Sequence, residues 1–206
     1  MEQFATEEQQ VEAIKRFWKE NGTAIIVGAV LGLGGLWGWR YYSDTQVAAK
    51  EQASEQYQSA IETIQNDDGL DNVQQFMQNH SDTGYANIAG LITARKLVES
   101  GSLDEAAATL QSVISGTSDT HLKTLASIHL ARLQIEQDKA DQAVSTLNGL
   151  EDEAFTGLIA EIKGDAFVKQ AKMDDARMAY TKALESNARN QLVQMKLDNL
   201  SVATGS

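Results

Sequence analysis

Two patterns of apolar residues divide this chain. Thr23 to Trp39 (TAIIVGAVLGLGGLWGW) holds no charged residue, so a helix formed there is apolar on every side. Beyond Tyr42 the apolar residues recur at intervals of three and four, as in Leu91, Ala94, Leu97 and Val98, and again through Leu125, Ile128, Leu130, Leu133 and Ile135. That spacing lays an apolar stripe along an amphipathic α-helix. No stretch alternates with the period of two that a half-buried strand needs, so the expected fold is all-α.

Polar and glycine-containing pieces interrupt the stripes at Asn66–Gly69, His80–Gly84, Ser100–Ser102, Gly116–Asp119, Asp138–Lys139, Asn148–Gly149 and Gln170–Lys172. Such pieces stop one helix and cap the next rather than link domains. Residues 43–65 read as a helix that continues from the uncharged segment, with Tyr57, Ile61 and Ile64 on one face. Residues 46–80 form an irregular leading pair. Residues 188–202 read as a terminal capping helix with Leu192, Met195 and Leu200 inward.

The uncharged segment is expected to be a single transmembrane helix. At 1.5 Å per residue it spans about 26 Å, a little less than a hydrocarbon layer of about 30 Å. Trp37, Trp39, Tyr41 and Tyr42 supply the aromatic cluster found where helices leave a bilayer, and Arg40 among them can reach the headgroups. The span therefore runs over residues 23–42. A cleaved signal peptide is opposed by the 22 residues before the segment and by its bulky aromatic end. Lys15, Arg16 and Lys19 precede the span, whereas Arg40 and then only Lys50 follow it, which favours the N-terminus inside. Val11, Ile14, Phe17 and Trp18 share one side of a short interfacial lead-in helix over Val11–Glu20. The expected organisation is a segment 1–22 on the inner, cytoplasmic side, the span 23–42, and a domain 43–206 across the membrane, in the periplasm if the cell is Gram-negative.

Composition narrows the partners. The net charge is −12, nearly all of it beyond Tyr42, and no basic stripe is present to neutralise phosphates. Nucleic acid is therefore not an expected partner. With no cysteine, disulfides, thiolate metal sites and Cys nucleophiles are excluded. With no proline, the commonest helix breaker is missing from all 206 residues.

A repeat runs through the distal part. Gly164, Phe167, Ala171, Met173, Ala176, Tyr180, Ala183 and Leu184 follow the tetratricopeptide (TPR) pattern of small and aromatic positions around a tight turn. Ala94, Leu97, Gly101, Leu103, Ala106, Leu110, Val113 and Ile114 fit the same frame. Ala131, Gln134, Asp138, Ala140, Ala143 and Leu147 fit it more weakly, with Gln134 where an apolar residue is wanted. Ala106, Ala143 and Ala176 are spaced by 37 and 33 residues, near the period of about 34 of this repeat. The expected domain is a TPR-like α-solenoid.

The first helices of such repeats line a concave face. The frame puts Ile88, Leu91, Arg95 and Val98 there, then Leu125, Ile128, Arg132 and Ile135, then Leu158, Glu161, Asp165 and Val168. This predicts a largely apolar groove for extended or partly folded polypeptide, basic toward one end and acidic toward the other. The arginines have the chemistry to catch carboxylates, although the Lys/Asn set of a chaperone-tail clamp is missing. Within the span, Gly28, Gly32, Gly34 and Gly38 have spacings that permit close helix approach in membranes.

No catalytic constellation stands out. His80, His121 and His129 are dispersed, with no i, i+4 pair for a metal, and neither a nucleophile elbow nor a Ser-x-x-Lys motif occurs. Asp104-Glu105 and Asp174-Asp175 fall at helix starts, where the helix dipole favours acid. No enzyme activity, cofactor or metal is expected.

The run Val11-Glu12-Ala13-Ile14-Lys15-Arg16-Phe17-Trp18-Lys19-Glu20-Asn21-Gly22 and the glycine-rich segment ending Gly38-Trp39-Arg40-Tyr41-Tyr42 resemble the YfgM family. So do Thr83-Gly84-Tyr85-Ala86, Leu103-Asp104-Glu105-Ala106-Ala107 and the ending Met195-Lys196-Leu197-Asp198-Asn199-Leu200-Ser201. Members of that family are ancillary subunits of the bacterial SecYEG translocon. The resemblance implies a single-pass inner-membrane protein with a periplasmic repeat domain, associated with SecYEG and with a membrane-anchored periplasmic chaperone of the PpiD type. It also implies a chaperone-like, non-enzymatic adaptor that helps nascent secreted polypeptides as they emerge. The alternative is a membrane-anchored scaffold for envelope complexes that binds no clients.

Overall fold

The computed structural model describes residues 7–64, 69–81 and 83–203. Among these, nine α-helices follow one another: α1 (Glu7–Thr63), α2 (Gly69–Asn79), α3 (Gly84–Glu99), α4 (Leu103–Gly116), α5 (Thr120–Glu136), α6 (Ala140–Leu147), α7 (Thr156–Lys169), α8 (Met173–Ser186) and α9 (Gln191–Ala203). A 3-10 turn over Glu153–Phe155 precedes α7. The described residues contain no strand, as the apolar periodicity predicted. The expected breaks at 66–68 and at Asp82 lie outside the described residues. The chain divides into two compact units, residues 1–52 and 53–206.

In the first unit, α1 carries its apolar side chains outward; Leu31, Leu33 and Leu36 are all about 70% exposed. It is the one helix among the described residues long and apolar enough to cross a membrane. The lead-in segment is not a separate helix. Val11–Glu20 runs straight into the apolar stretch because nothing between them breaks the backbone. Asn21 donates its side-chain amide to the Phe17 carbonyl at 3.1 Å, and the Trp18 indole folds over Gly22, where a Cβ would meet ring atoms at 3.4–3.5 Å. Near the far end of the segment, Trp37 stacks on Tyr41 with ring centroids 6.2 Å apart.

The second unit is built from three antiparallel pairs: α3 with α4, α5 with α6, α7 with α8. Each pair turns in the same way. Gly101, Asp138 and Ala171 all have positive φ, at 83°, 57° and 58°. In each turn the next residue donates back five positions, Ser102 to Leu97, Lys139 to Gln134 and Lys172 to Phe167. This is a left-handed helix stop that satisfies carbonyls the helix leaves unpaired. Four residues later, in step, Ala106, Ala143 and Ala176 bond back to Ser102, Lys139 and Lys172. The three alanines are fully buried.

The cores straddle the pairs. Ala94, Leu97, Ala106, Leu110 and Val113 pack with Ala126, Leu130 and Leu133 of the following pair. Ile128, Ala131 and Leu147 pack with Ile159, Ile162 and Ala166. No pair buries its own apolar face alone, which is why such repeats fold only when stacked. Gln134, the polar residue at an apolar position, is satisfied there by the Thr146 hydroxyl at 2.9 Å.

At the start of this unit, Ala60 and Ile64 of α1 pack with Val73 and Phe76 of α2 and Ala89 of α3. At its end, α9 caps the stack with Val193 and Leu200 buried. Leu192 and Met195, expected inward, are 54% and 58% exposed. The helix is rotated so that Lys196 faces α7 instead.

Candidate functional site

Helices α3, α5 and α7 together line a groove of about 570 Å3. Thr83 fixes the start of α3, accepting from the Ala86 amide, and Asp119 caps α5 by accepting from Leu122. Of the residues expected in the groove, the structure brings Leu91, Arg95, Val98, Arg132, Ile135 and Asp165 to it. Ile88 and Leu125 line a neighbouring concavity of about 520 Å3 with Leu122 and Phe155, near the starts of α3 and α5.

Four expected residues stand elsewhere. Ile128 is fully buried, enclosed by Leu147 and Ile162, and is core rather than surface. Leu158 packs partly buried on that same core, and Val168 on the next one. Glu161 is buried against α9. In place of Ile128, α5 presents His129, with Glu136 beyond Arg132. The signal for this was the polar spacing His129, Arg132, Glu136, which marks one exposed side of a helix whose buried residues are mostly apolar.

The electrostatics also differ from a simple gradient. Lys196 of α9 reaches Glu161 and Asp165, each at 2.8 Å, and the Tyr180 hydroxyl donates to Asp165 at 2.7 Å. The expected acidic end is thus occupied from within. Burial alone pushes the Lys196 ammonium down in pKa, but hydrogen bonds to Asp165 and Glu161 and their charges outweigh it and hold the group above the ordinary lysine value. The Tyr180 phenol is raised by burial and by the same two acids.

At the other side Arg95 pairs with Glu99 on its own helix at 3.0 Å, with both side chains in solvent. Among the described residues Arg132 makes no ion pair. Burial and the adjacent Arg132 charge lower the pKa of His129 and so favour its neutral imidazole.

The remaining histidines are held apart. His80 meets Gln56 at 2.6 Å, while His121 meets the buried Asp152 at 2.7 Å beside Phe155. Among the described residues no three His, Asp or Glu stand close enough to share a metal ion. Gly28, Gly32, Gly34 and Gly38 lie open on α1, where an added Cβ would meet nothing within 4 Å.

A stacked helical-repeat domain with an open groove, following a helix of membrane-crossing length, defines a protein of the helical-repeat scaffold class. Comparison with known proteins makes this specific. The model of the tetratricopeptide repeat-like domain family matches residues 15–202. A protein of Escherichia coli (strain K12) named ancillary SecYEG translocon subunit is 36% identical, over 98% of this chain and all of that protein. Proteins of the same name from Haemophilus influenzae and Aggregatibacter actinomycetemcomitans are 35% and 30% identical, each over 94% of this chain and 97% of its own length. The chain belongs to the tetratricopeptide repeat-like family and to the ancillary SecYEG translocon subunits, the YfgM family. In fold alone, it is similar to the solved structure of MamA from Desulfovibrio magneticus RS-1, residues 41 to the end. The TM-score is 0.60 at 12% identity, over 74% of this chain and 85% of that one.

Proposed function

We propose that this chain is a chaperone-like adaptor at the Sec translocon, tethered to the membrane by its apolar helix and without catalytic activity of its own. Residues 1–22 lie in the cytoplasm, 23–42 cross the inner membrane, and 43–206 stand in the periplasm. There the groove receives emerging segments of secreted polypeptides or a partner such as a PpiD-type chaperone. The observation that carries this reading is similarity along almost the whole chain to three proteins named as translocon subunits. A repeat scaffold offers surface rather than chemistry, and Leu91 and Val98 give that surface an apolar character suited to unfolded chain.

The test is purification of the tagged full chain in mild detergent, with SecYEG expected to accompany it. A photo-crosslinker at Leu91 then separates adaptor from scaffold. Nascent chains are trapped if the groove serves clients, and only folded partners if it does not. Failure to recover SecYEG defeats the proposal.

A further inference from the structure

We propose that the groove between α3, α5 and α7 selects extended apolar segments carrying an acidic side chain, with Arg132 as the seat of the carboxylate. This rests on the reading of that groove as a polypeptide site and names what it prefers. The argument is one of uncommitted charge. Arg95 is tied to Glu99, and Asp165 is held by Lys196 and Tyr180. Arg132 alone of the groove's cationic groups has no carboxylate partner among the described residues, and its charge is felt locally, since it helps keep the neighbouring His129 neutral.

A purely apolar segment laid over Leu91, Val98 and Ile135 would strip water from the Arg132 guanidinium and give nothing back. A carboxylate returns two parallel hydrogen bonds to the same planar fork. A basic segment meets an uncompensated like charge at Arg132. Glu136 stands one turn further along α5 and disfavours a carboxylate placed beyond Arg132, which limits where the acid can sit.

The test uses the full-length chain in detergent and two C-terminally amidated ten-residue peptides of Leu and Ser carrying an uncharged BODIPY label. One has a central Glu and the other a Gln, so no terminal carboxylate is present. Fluorescence anisotropy is expected to show the Glu peptide binding up to about fivefold tighter, the range of an exposed ion pair. The difference should close in Arg132→Gln and in high salt, while affinity for the Gln peptide stays unchanged. Equal binding of the two peptides, or a preference that survives Arg132→Gln, overturns the carboxylate seat and leaves the groove reading standing. Binding of neither peptide overturns both.

Discussion

The ring of Tyr180 on α8 stands where a Cβ on Gly164 of α7 would have to be, with Cε1 and Cδ1 its nearest atoms. The ring cannot easily swing aside, because its hydroxyl is held by Asp165 at 2.7 Å. Replacing Gly164 by Ala would gain about 1 kcal/mol of helix propensity, against about 1–3 kcal/mol for overpacking a closed contact. Gly164→Ala is therefore expected to lower stability by about 1 kcal/mol, read as a lower urea midpoint. A higher midpoint would show that the ring yields.

The three turns between paired helices adopt one backbone shape with three different residues, and Ala171 is the least suited of them. At φ 58° it stands in the left-handed region that a Cβ disfavours. Gly101 occupies the same place in the first pair without that penalty. Ala171→Gly should stabilise the domain by about 1 kcal/mol, since relief of strain exceeds the added freedom of the unfolded chain. Asp138→Gly should gain less, as Asp tolerates the region better and its carboxylate holds Lys169 at 3.2 Å. Thermal unfolding of the two variants side by side checks the order.

The cluster joining α9 to α7 predicts an alkaline limit. Lys196 and Tyr180 both have folded pKa values above their unfolded values of about 10. Between the two values the native state holds more protons than the unfolded chain, so stability falls as pH rises through that window. The contribution is fully present at neutral pH and is lost above about pH 10. Unfolding midpoints followed from pH 7 to 11 should stay level and then drop, with a shallower drop in Tyr180→Phe. An identical drop in that variant would remove Tyr180 from the explanation. Lys196→Met leaves the buried Glu161 carboxylate facing the partly exposed Asp165 carboxylate and is expected to cost about 2 kcal/mol at pH 7, below the range for wholly buried pairs because the lysine retains some solvent.

The turns show why much of this fold could be read from the sequence. Gly101, Ala106 and Leu110 each do a local job that their residue type announces, and the same jobs recur in step at Ala171, Ala176 and Tyr180. The groove was harder to read. Helix α5 is packed on several sides, burying Ala126, Ile128, Leu130, Ala131 and Leu133, so apolar spacing fits more than one rotation, and Ile128 looks as good a groove residue as His129. In α9, Leu192 and Val193 are adjacent apolar residues and only one can face inward. What decides is Lys196 meeting Glu161 from 35 residues away, a pairing that no local pattern reveals. Likewise, the acidic pole expected from Glu161 and Asp165 is half neutralised by a residue outside the repeats.

The glycines of α1 lead to a prediction about partners rather than folding. A Cβ at Gly28 or Gly32 meets nothing within 4 Å, so the first carbon of a larger side chain meets no obstacle there within this chain. Each Gly→Leu change also raises helix propensity. A loss of association in Gly28→Leu/Gly32→Leu is then expected to come from a face of α1 that small residues allow a partner helix to approach closely. The double variant is expected to reach the membrane in normal amounts yet recover less SecYEG in detergent. Equal recovery would place the grip in the repeat domain, and Arg132→Gln and Leu91→Asp would then be the variants that weaken it.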